Sequence, residues 1–311
     1  MPRVVASFAA IYLVWGSTFL AIRWAVETIP PFPMMALRCL LGGSILLVLS
    51  RLREPGSDWP APRQWLGAAV VGTLFFVFCH GLLAREEQHV PSGIAALCLA
   101  TIPLFVPLLA WIVLRSGRPS VRTALALLAA FTGVALLVAA QGTGGGLSAT
   151  DAALLLFTAF SWAAGTIASR RVPLPHSPLA TAAAPLLAGG VVLTLLSIVT
   201  GEAGQLHPSQ VSARSLGGLL YLVLMGTVVT FTAYMWLLDH VEPTRVATYA
   251  FVNPAVAVLL GWALAGEHVS GVTIVATVVI IVAVAVAVTD RSAGTPRQRG
   301  EVAEPVSAVV D

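Results

Sequence analysis

Three ionisable side chains lie within or beside long apolar runs of the sequence: Arg38, His80 and Glu87. Arg38 follows Pro33 by five residues, which places it about 7.5 Å into a helix that begins at that proline. A guanidinium there could bind a carboxylate or a phosphate through two parallel hydrogen bonds. His80 and Glu87 are seven residues apart and so share one helical face, and an imidazole beside a carboxylate is suited to proton transfer. The three residues predict a substrate-binding site with Glu87 and His80 as proton-coupling candidates.

Each of these residues also has a structural explanation, which the sequence leaves open. Arg38 could extend its charged end to the water interface or pair with a fixed acid. His80 could be a hydrogen-bonded packing residue, and Glu87 could lie at the interface. Ionisable groups inside apolar segments are costly and therefore default to functional candidates.

Aromatic and amide side chains extend the candidate site onto other apolar runs. Trp15 and Phe19 lie close together in the first run, Tyr234 lies in the eighth, and Tyr249 and Asn253 lie one turn apart in the ninth. Such faces would line a cavity for an amphipathic solute, although packing between helices explains polar residues equally well. The complete predicted substrate pathway consists of Trp15, Phe19, Arg38, His80, Glu87, Pro103, Tyr234, Tyr249, Asn253 and Pro254.

Motifs for other chemistry are missing from the sequence. The three cysteines, Cys39, Cys79 and Cys98, lie in apolar runs without the spacing of a metal site, and we predict no metal and no cofactor. Neither Gly-x-Ser-x-Gly nor a phosphate-binding glycine motif occurs, which argues against an enzyme and against an ATPase partner. The basic residues form no stripe with interleaved aromatics, which argues against nucleic-acid binding.

The composition predicts an all-α integral membrane protein. The 311 residues are 58% hydrophobic and 10% charged, with a mean hydropathy of +0.90, whereas soluble domains have about 25% charged residues. Because a membrane-spanning helix needs roughly 20 apolar residues, the sequence predicts ten spans. Their approximate ranges are 5–26, 33–50, 65–85, 92–114, 122–140, 150–169, 178–200, 215–237, 246–265 and 271–289.

Arginine placement predicts the orientation of these spans. With the N-terminus inside, thirteen arginines lie on the cytoplasmic side and only Arg85 and Arg214 lie in the loops of the other side. Both termini are therefore predicted to be cytoplasmic. In the first span, Arg23 and Glu27 are four residues apart at the outer end, and we expect them to pair. The thirteen are Arg3, Arg51, Arg53, Arg63, Arg115, Arg118, Arg122, Arg170, Arg171, Arg245, Arg291, Arg297 and Arg299.

The two halves of the chain resemble each other. Trp15 and Trp162 are 147 residues apart, and Pro103 and Pro254 are 151 apart. Five spans per half is an odd number, so the second half must insert upside down, and inverted repeats place a substrate site where matching helices are interrupted. The predicted units are a first repeat (1–140), an extracytoplasmic linker (141–149), a second repeat (150–289) and a disordered cytoplasmic tail (290–311).

The sequence resembles the EamA family of the drug/metabolite transporter superfamily, and within it the YedA-like group. The resemblance rests on "WGSTFLAIRWAVETIPP" (15–31), "EQHVPSGIAALCLATIPLFVPLLAW" (87–111) and "RVATYAFVNPAVAVLLGWALAGEHVS" (245–270). Arg38 and Glu87 match an arginine and an acid of the family pattern. Repeats of this family often end their fourth helix with Gly-Glu; Gly266-Glu267 keeps that pair, whereas the first repeat has Arg115-Ser116 instead.

The resemblance implies ten helices in two inverted EamA repeats and a permease of a bacterial cytoplasmic membrane. Such a carrier would move small metabolites, often exporting amino acids or related compounds, by alternating access. The expected partners are a small-molecule substrate and the lipid bilayer, with a homodimer left open. A flippase or an importer of an amphipathic solute remains the alternative, and proton antiport, exchange and facilitated diffusion all remain open.

Overall fold

The computed structural model of the protein describes residues 2–53, 59–140, 147–241 and 243–290, and within them the chain forms ten long helices and no strand. Most of the predicted linker and nearly all of the predicted tail lie outside the described residues. The helices are α1 (Pro2–Ala25), α2 (Pro31–Arg53), α3 (Pro62–Glu86), α4 (Ser92–Leu114), α5 (Val121–Ala139), α6 (Ala149–Ala168), α7 (Pro178–Val199), α8 (Ala213–Leu238), α9 (Tyr249–Ala265) and α10 (Gly271–Val288).

Nine of these helices are long and apolar enough to cross a membrane, and α9 is shorter, at 17 residues. The predicted ninth span began at residue 246, but a turn at residues 247–248 separates α9 from the short helix Pro243–Val246. The prediction of ten membrane helices is confirmed for nine of them by length, and for the tenth as a shorter apolar helix. The chain is a multi-pass membrane protein.

Several helices depart from regular α geometry near their middle. π-Helical stretches occupy Ala10–Val14 in α1, Thr73–Gly81 in α3 and Leu222–Val229 in α8. A π turn holds more residues than an α turn, so side chains beyond it rotate to a different face, and such turns often occur at functional sites. In α4 the helix breaks at residues 100–101, just before Pro103, whereas Pro254 lies inside α9.

The packing follows the internal repeat. Helix α2 lies against α7, α5 lies against α10, and α4 lies against α9, so that equivalent helices of the two repeats form pairs. Helix α1 packs on α8 and α9, just as α6 packs on α3 and α4. Small residues allow close approach in such bundles: a Cβ added to Gly72 of α3 would lie 2.2 Å from the carbonyl oxygen of Pro185 in α7.

Equivalent helices also end in the same way. Helix α4 ends at Arg115 with φ 53°, and α9 ends at Gly266 with φ 65°, both in the left-handed region. The N–H of the following residue then donates to a carbonyl oxygen of the last helical turns: Ser116 to Ala110 at 3.3 Å, and Glu267 to Gly261 at 3.0 Å. Because only glycine adopts this conformation without a steric penalty, the first repeat has the less favourable version of the turn.

Candidate functional site

A central cavity of about 410 Å³ lies between the two repeats, and helices α1–α4 and α6–α9 all contribute to its wall. It extends to the segment between α6 and α7, where Ser169 and Leu174 line it. Its opposite boundary lies near Ala96, one turn inside α4. The structure places nine of the ten predicted pathway residues on its wall: Trp15, Phe19, Arg38, His80, Pro103, Tyr234, Tyr249, Asn253 and Pro254.

Arg38 supplies the only charged side chain among the described residues that line the cavity. The residue is 7% exposed. Its Nε donates to Thr227 Oγ1 at 3.4 Å, and its Nη1 lies 3.9 Å from Met35 Sδ. Both contacts are long, and the described residues place no carboxylate within hydrogen-bonding distance of the guanidinium. Most of its donor capacity is therefore available to a ligand in the cavity.

Two aromatic clusters line this cavity. In the first, the ring of Trp15 lies 5.3 Å from that of Tyr234 and 5.1 Å from that of Tyr249. In the second, the ring of Trp162 lies 4.2 Å from that of Phe75 and 5.1 Å from that of His80. The Trp15 indole donates to the carbonyl oxygen of Gly226 at 3.0 Å, which fixes its ring against the π-helical stretch of α8.

The hydrogen bond of His80 determines which form of its ring faces the cavity. Its Nδ1 lies 3.0 Å from the carbonyl oxygen of Phe75. Because a carbonyl can only accept, Nδ1 carries the hydrogen and donates it. Nε2 is then an acceptor in the neutral ring. His80 thus offers a bound solute a hydrogen-bond acceptor, Nε2, and the edge of its imidazole ring.

Asn253 uses its amide to hold α1. When the side chain is oriented to donate, its nitrogen lies 3.1 Å from the carbonyl oxygen of Ile11 and 3.2 Å from that of Tyr12. Both carbonyls belong to the π-helical stretch of α1, where the regular hydrogen-bond pattern is interrupted. Asn253 therefore connects α9 to α1 through backbone acceptors while it also lines the cavity.

Glu87 lies outside the cavity wall. It follows the last residue of α3 and is 1% exposed. Within the described residues neither of its carboxyl oxygens has a hydrogen-bond partner. Burial raises the pKa of the Glu87 carboxyl well above its usual range, and the nearby Glu267 carboxylate raises it further, although Arg23 and Arg38 act in the opposite direction. Because His80 belongs to a π-helical stretch, seven-residue spacing does not keep Glu87 on its face.

Glu267 connects the second repeat to the first through several polar contacts. Its Oε1 accepts from the Ser92 N–H at 2.7 Å and from the Ser92 hydroxyl at 2.8 Å, and its Oε2 accepts from the Gly93 N–H at 3.1 Å. Arg23 Nε lies 3.5 Å from Oε1. The carboxylate thus caps the N-terminus of α4 and pairs with α1, where both the helix dipole and the arginine favour a negative charge.

The expected pairing of Arg23 with Glu27 is wrong. Arg23 turns toward α4 and Glu267, and it also donates to the carbonyl oxygen of Val90 at 2.9 Å. Glu27 instead lies 3.4 Å from Arg214 at the start of α8. Four-residue spacing permits a pair within one helix, but a buried carboxylate held by backbone donors offers Arg23 a more fixed partner than the exposed Glu27 does.

Two glycines make room for the Glu267 carboxylate. A Cβ added to Gly261 would lie 2.3 Å from Glu267 Oε2, and one added to Gly93 would lie 3.5 Å from it and 3.0 Å from the Cα of Val258. The side chain of Glu267 is 6% exposed. The site is therefore shaped around this carboxylate by both α4 and α9.

A separate surface group could offer metal ligands. Glu86, His89 and Asp151 each present one ligand atom, and these atoms lie within 4.8 Å of one another. His89 Nε2 already lies 3.6 Å from Glu86 and 3.4 Å from Asp151. Glu86 is buried, Asp151 is half-buried and His89 is exposed; their mutual pairing explains the group, and we assign it no role.

Sequence reasoning missed Trp162 and Glu267 as site residues. Trp162 is the repeat equivalent of Trp15, 147 residues later, and both line the cavity. Applying the repeat to every pathway residue would have found it. Glu267 belongs to the Gly-Glu pair that the sequence already distinguished, but its partners Arg23 and Ser92 are more than 170 residues away and left no local signal.

Known proteins share both the repeats and the fold. The EamA-like transporter family model matches residues 4–139 and 151–289. The chain is 38% identical over 287 residues to the inner membrane transporter YedA of Escherichia coli (strain K12), which covers 91% of this chain and 90% of that protein. It is 28% identical to PecM of Dickeya dadantii, over 86% of each chain. It is 26% identical to the probable amino-acid metabolite efflux pump of Salmonella typhimurium, over 85% of this chain and 89% of that one.

A solved crystal structure has the same fold, with a TM-score of 0.60 and 21% identity over 92% of this chain and 96% of that one. The two family matches together span nearly all of the described helices. With the YedA-like group of the drug/metabolite transporters as its relatives, this chain belongs to the EamA-like transporter family.

Proposed function

We propose that the protein is a secondary transporter that exports small carboxylate-bearing metabolites, amino acids or related compounds, across the cytoplasmic membrane by alternating access. The substrate binds in the central cavity, and Arg38 holds its carboxylate. The observation that carries the proposal is the buried guanidinium of Arg38, which faces the cavity without an acidic partner among the described residues. A charge buried in this way is unfavourable unless it serves a ligand.

The chemistry of the wall supports a substrate with an apolar body. No acid lines the described part of the cavity, so its field attracts anions and disfavours cations. The aromatic clusters around Trp15 and Trp162 give the body of the solute two flat surfaces. The ammonium of an amino acid has no carboxylate partner there, but the faces of these rings can accept a cation.

The direction of transport rests on the arginine distribution and on the relatives. With both termini in the cytoplasm, the Ser169–Leu174 end of the cavity faces inward and the Glu267 end faces outward. The cavity would then load from the cytoplasm. The Salmonella relative is named as an efflux pump, which supports export over import.

A charge series on one aromatic body tests the substrate class. Purified protein in proteoliposomes would be assayed for exchange of an arylacetic acid, the matching α-amino acid and the matching arylethylamine. We expect the two carboxylates to exchange and the amine to fail. Arg38→Gln should abolish exchange and Arg38→Lys should retain part of it, because lysine keeps the charge but loses the two-pronged geometry.

A control variant and a ring variant complete the design. Arg122→Gln, at the start of α5 and away from the cavity, should leave exchange unchanged. Trp162→Leu should weaken binding by about 1 kcal/mol, the usual contribution of an aromatic contact. Exchange that survives in Arg38→Gln, or that favours the amine, would overturn the proposed substrate class. No exchange of any soluble solute would favour the flippase alternative.

A further inference from the structure

We propose that Glu87, Glu267 and Arg23 form a proton-controlled latch that closes the Glu267 end of the transport pathway. While Glu87 carries a proton, Arg23 stays with Glu267 and the two repeats are held together. When Glu87 releases its proton to solvent, its carboxylate competes for Arg23 and repels Glu267, and that end opens. The inference rests on the proposed function for its role in transport, because it names the step at which protons would be coupled to the movement of the solute.

The latch joins the two repeats at one end of the bundle. Glu267 comes from the turn between α9 and α10, whereas Ser92, Gly93 and Arg23 belong to α4 and α1. Ser92 and Gly93 start the buried first turn of α4, and Ala96, at the end of that turn, lines the cavity. A movement of this end of α4 that opens the cavity would therefore also pull the α4 N-terminus away from Glu267.

Glu87 provides the titratable group beside this contact. Its two oxygens have no hydrogen-bond partner in the described chain, which is an unfavourable state for a buried carboxylate but a tolerable one for a neutral carboxyl. The charged groups that face it are Arg23 from α1, Arg38 from α2 and Glu267 from the α9–α10 turn. Burial and the negative charge of Glu267 both raise the pKa of the Glu87 carboxyl, so Glu87 keeps its proton more readily than an isolated acid does.

Arg23 has to move little to change partners. Its Nη1 already lies 3.5 Å from the backbone carbonyl oxygen of Glu87, while its Nε lies 3.5 Å from Glu267 Oε1. A rotation of the side chain can therefore transfer the guanidinium from one carboxylate to the other. Glu267 would then retain only the donors of α4, next to a second negative charge, which weakens the contact between the repeats.

The matching turn of the first repeat carries no acid. The position that matches Glu267 is Ser116, 151 residues earlier, which follows the same left-handed turn but has no charge. Among the described residues the two matching turns therefore differ: a titratable contact lies at the Glu267 turn, and the Ser116 turn has no carboxylate.

Spin labels across the latch test this without any substrate. Gln88 and His268 are both exposed and lie in opposite repeats beside the latch, so each would be replaced by a cysteine that carries a spin label. The native cysteines would first be changed to alanine so that they are not labelled: Cys39, Cys79 and Cys98. We expect the distance between the labels to be short at low pH and to lengthen as pH rises. Glu87→Gln should remove this pH dependence and keep the distance short at every pH. Glu267→Gln should lengthen it at every pH.

His89 provides the matched control, because it is an ionisable residue at the same end that pairs with Glu86 and Asp151 instead. His89→Gln should leave the transition in place; loss of the transition in this variant would assign the sensor to His89 and overturn the proposal. A label-to-label distance that does not change with pH in the otherwise unmodified protein would also overturn the proposal.

The arylacetate exchange assay described above tests the proposed function separately. If exchange that depends on Arg38 persists while the label-to-label distance does not change with pH, only the latch proposal fails. If the distance responds to pH but no carboxylate exchanges, only the proposed substrate class fails.

Discussion

Replacement of Arg38 by methionine should have opposite effects on stability and on binding. Methionine has a similar length and no charge, so Arg38→Met removes a buried guanidinium whose hydrogen-bonding contacts among the described residues are Thr227 and Met35. Apolar replacement of even well-paired buried charges is often neutral or stabilising by about 1–4 kcal/mol. At roughly 2 °C per kcal/mol for a chain of this size, we expect the ligand-free protein to melt about 2–8 °C higher.

Substrate binding should weaken in the same variant. Loss of one partner from a buried, hydrogen-bonded charge pair costs about 2–5 kcal/mol. Since 1.36 kcal/mol corresponds to a factor of ten, the dissociation constant for an arylacetate should rise by roughly 30-fold to several thousand-fold. Melting would be followed by intrinsic tryptophan fluorescence in detergent, and binding by calorimetry on the same preparation.

Arg38→Lys separates the effect of the positive charge from the effect of the guanidinium geometry. This variant keeps a buried cation and should therefore melt close to the unmodified protein while it binds the carboxylate more weakly. The reasoning is refuted if Arg38→Met melts at a lower temperature than the unmodified protein. That result would mean that the guanidinium holds α2 and α8 together and that its position in the cavity wall is incidental.

Three substitutions to or from glycine give further predictions, all read by the same melting assay. Arg115→Gly should stabilise the protein by roughly 0.5–1 kcal/mol, because Arg115 has a left-handed φ of 53° that glycine adopts without strain; unchanged melting would count against strain at this turn. Gly72→Ala should destabilise by about 1–3 kcal/mol, since its Cβ would meet backbone atoms of Pro185 and Gly189. Gly217→Ala, where a Cβ meets nothing within 4 Å, should have the opposite sign.

The helices could be predicted from the sequence because each one is a nearly continuous apolar run, and in a bilayer such a run must be helical to pair its backbone groups. The cavity residues could be predicted in part for a related reason. Arg38 and His80 are conspicuous because their side chains are costly in that setting. Aromatic residues such as Phe75 gave no such signal, since an apolar helix contains many rings of which only some line a cavity.

The polar contacts between repeats could not be predicted, and the reasons are physical. Arg23 had an acid at helical spacing in Glu27, and only the tertiary fold shows that Glu267 is buried and already held by backbone donors. Whether Glu87 shares a face with His80 could not be read from their spacing, because the π-helical stretch Thr73–Gly81 changes the helical register between them. The residues whose contacts could not be predicted, Arg23, Glu87 and Glu267, are the ones that form the proposed latch.

The asymmetry of the two repeats leads to a last prediction. If the Gly-Glu pair of the second repeat makes a latch, then Arg115→Gly with Ser116→Glu should place the same pair at the matching turn of the first repeat. Arg170 is the repeat equivalent of Arg23 and is available at that end as the basic partner. The second latch would oppose the first, so the Gln88–His268 label distance should lengthen at a given pH relative to Arg115→Gly alone. The installed latch should be the weaker one, because Pro243, the equivalent of Ser92, has no N–H to donate. A distance that is the same in the single and double variants would show that the carboxylate acts only within its own repeat and does not set the balance between the two ends.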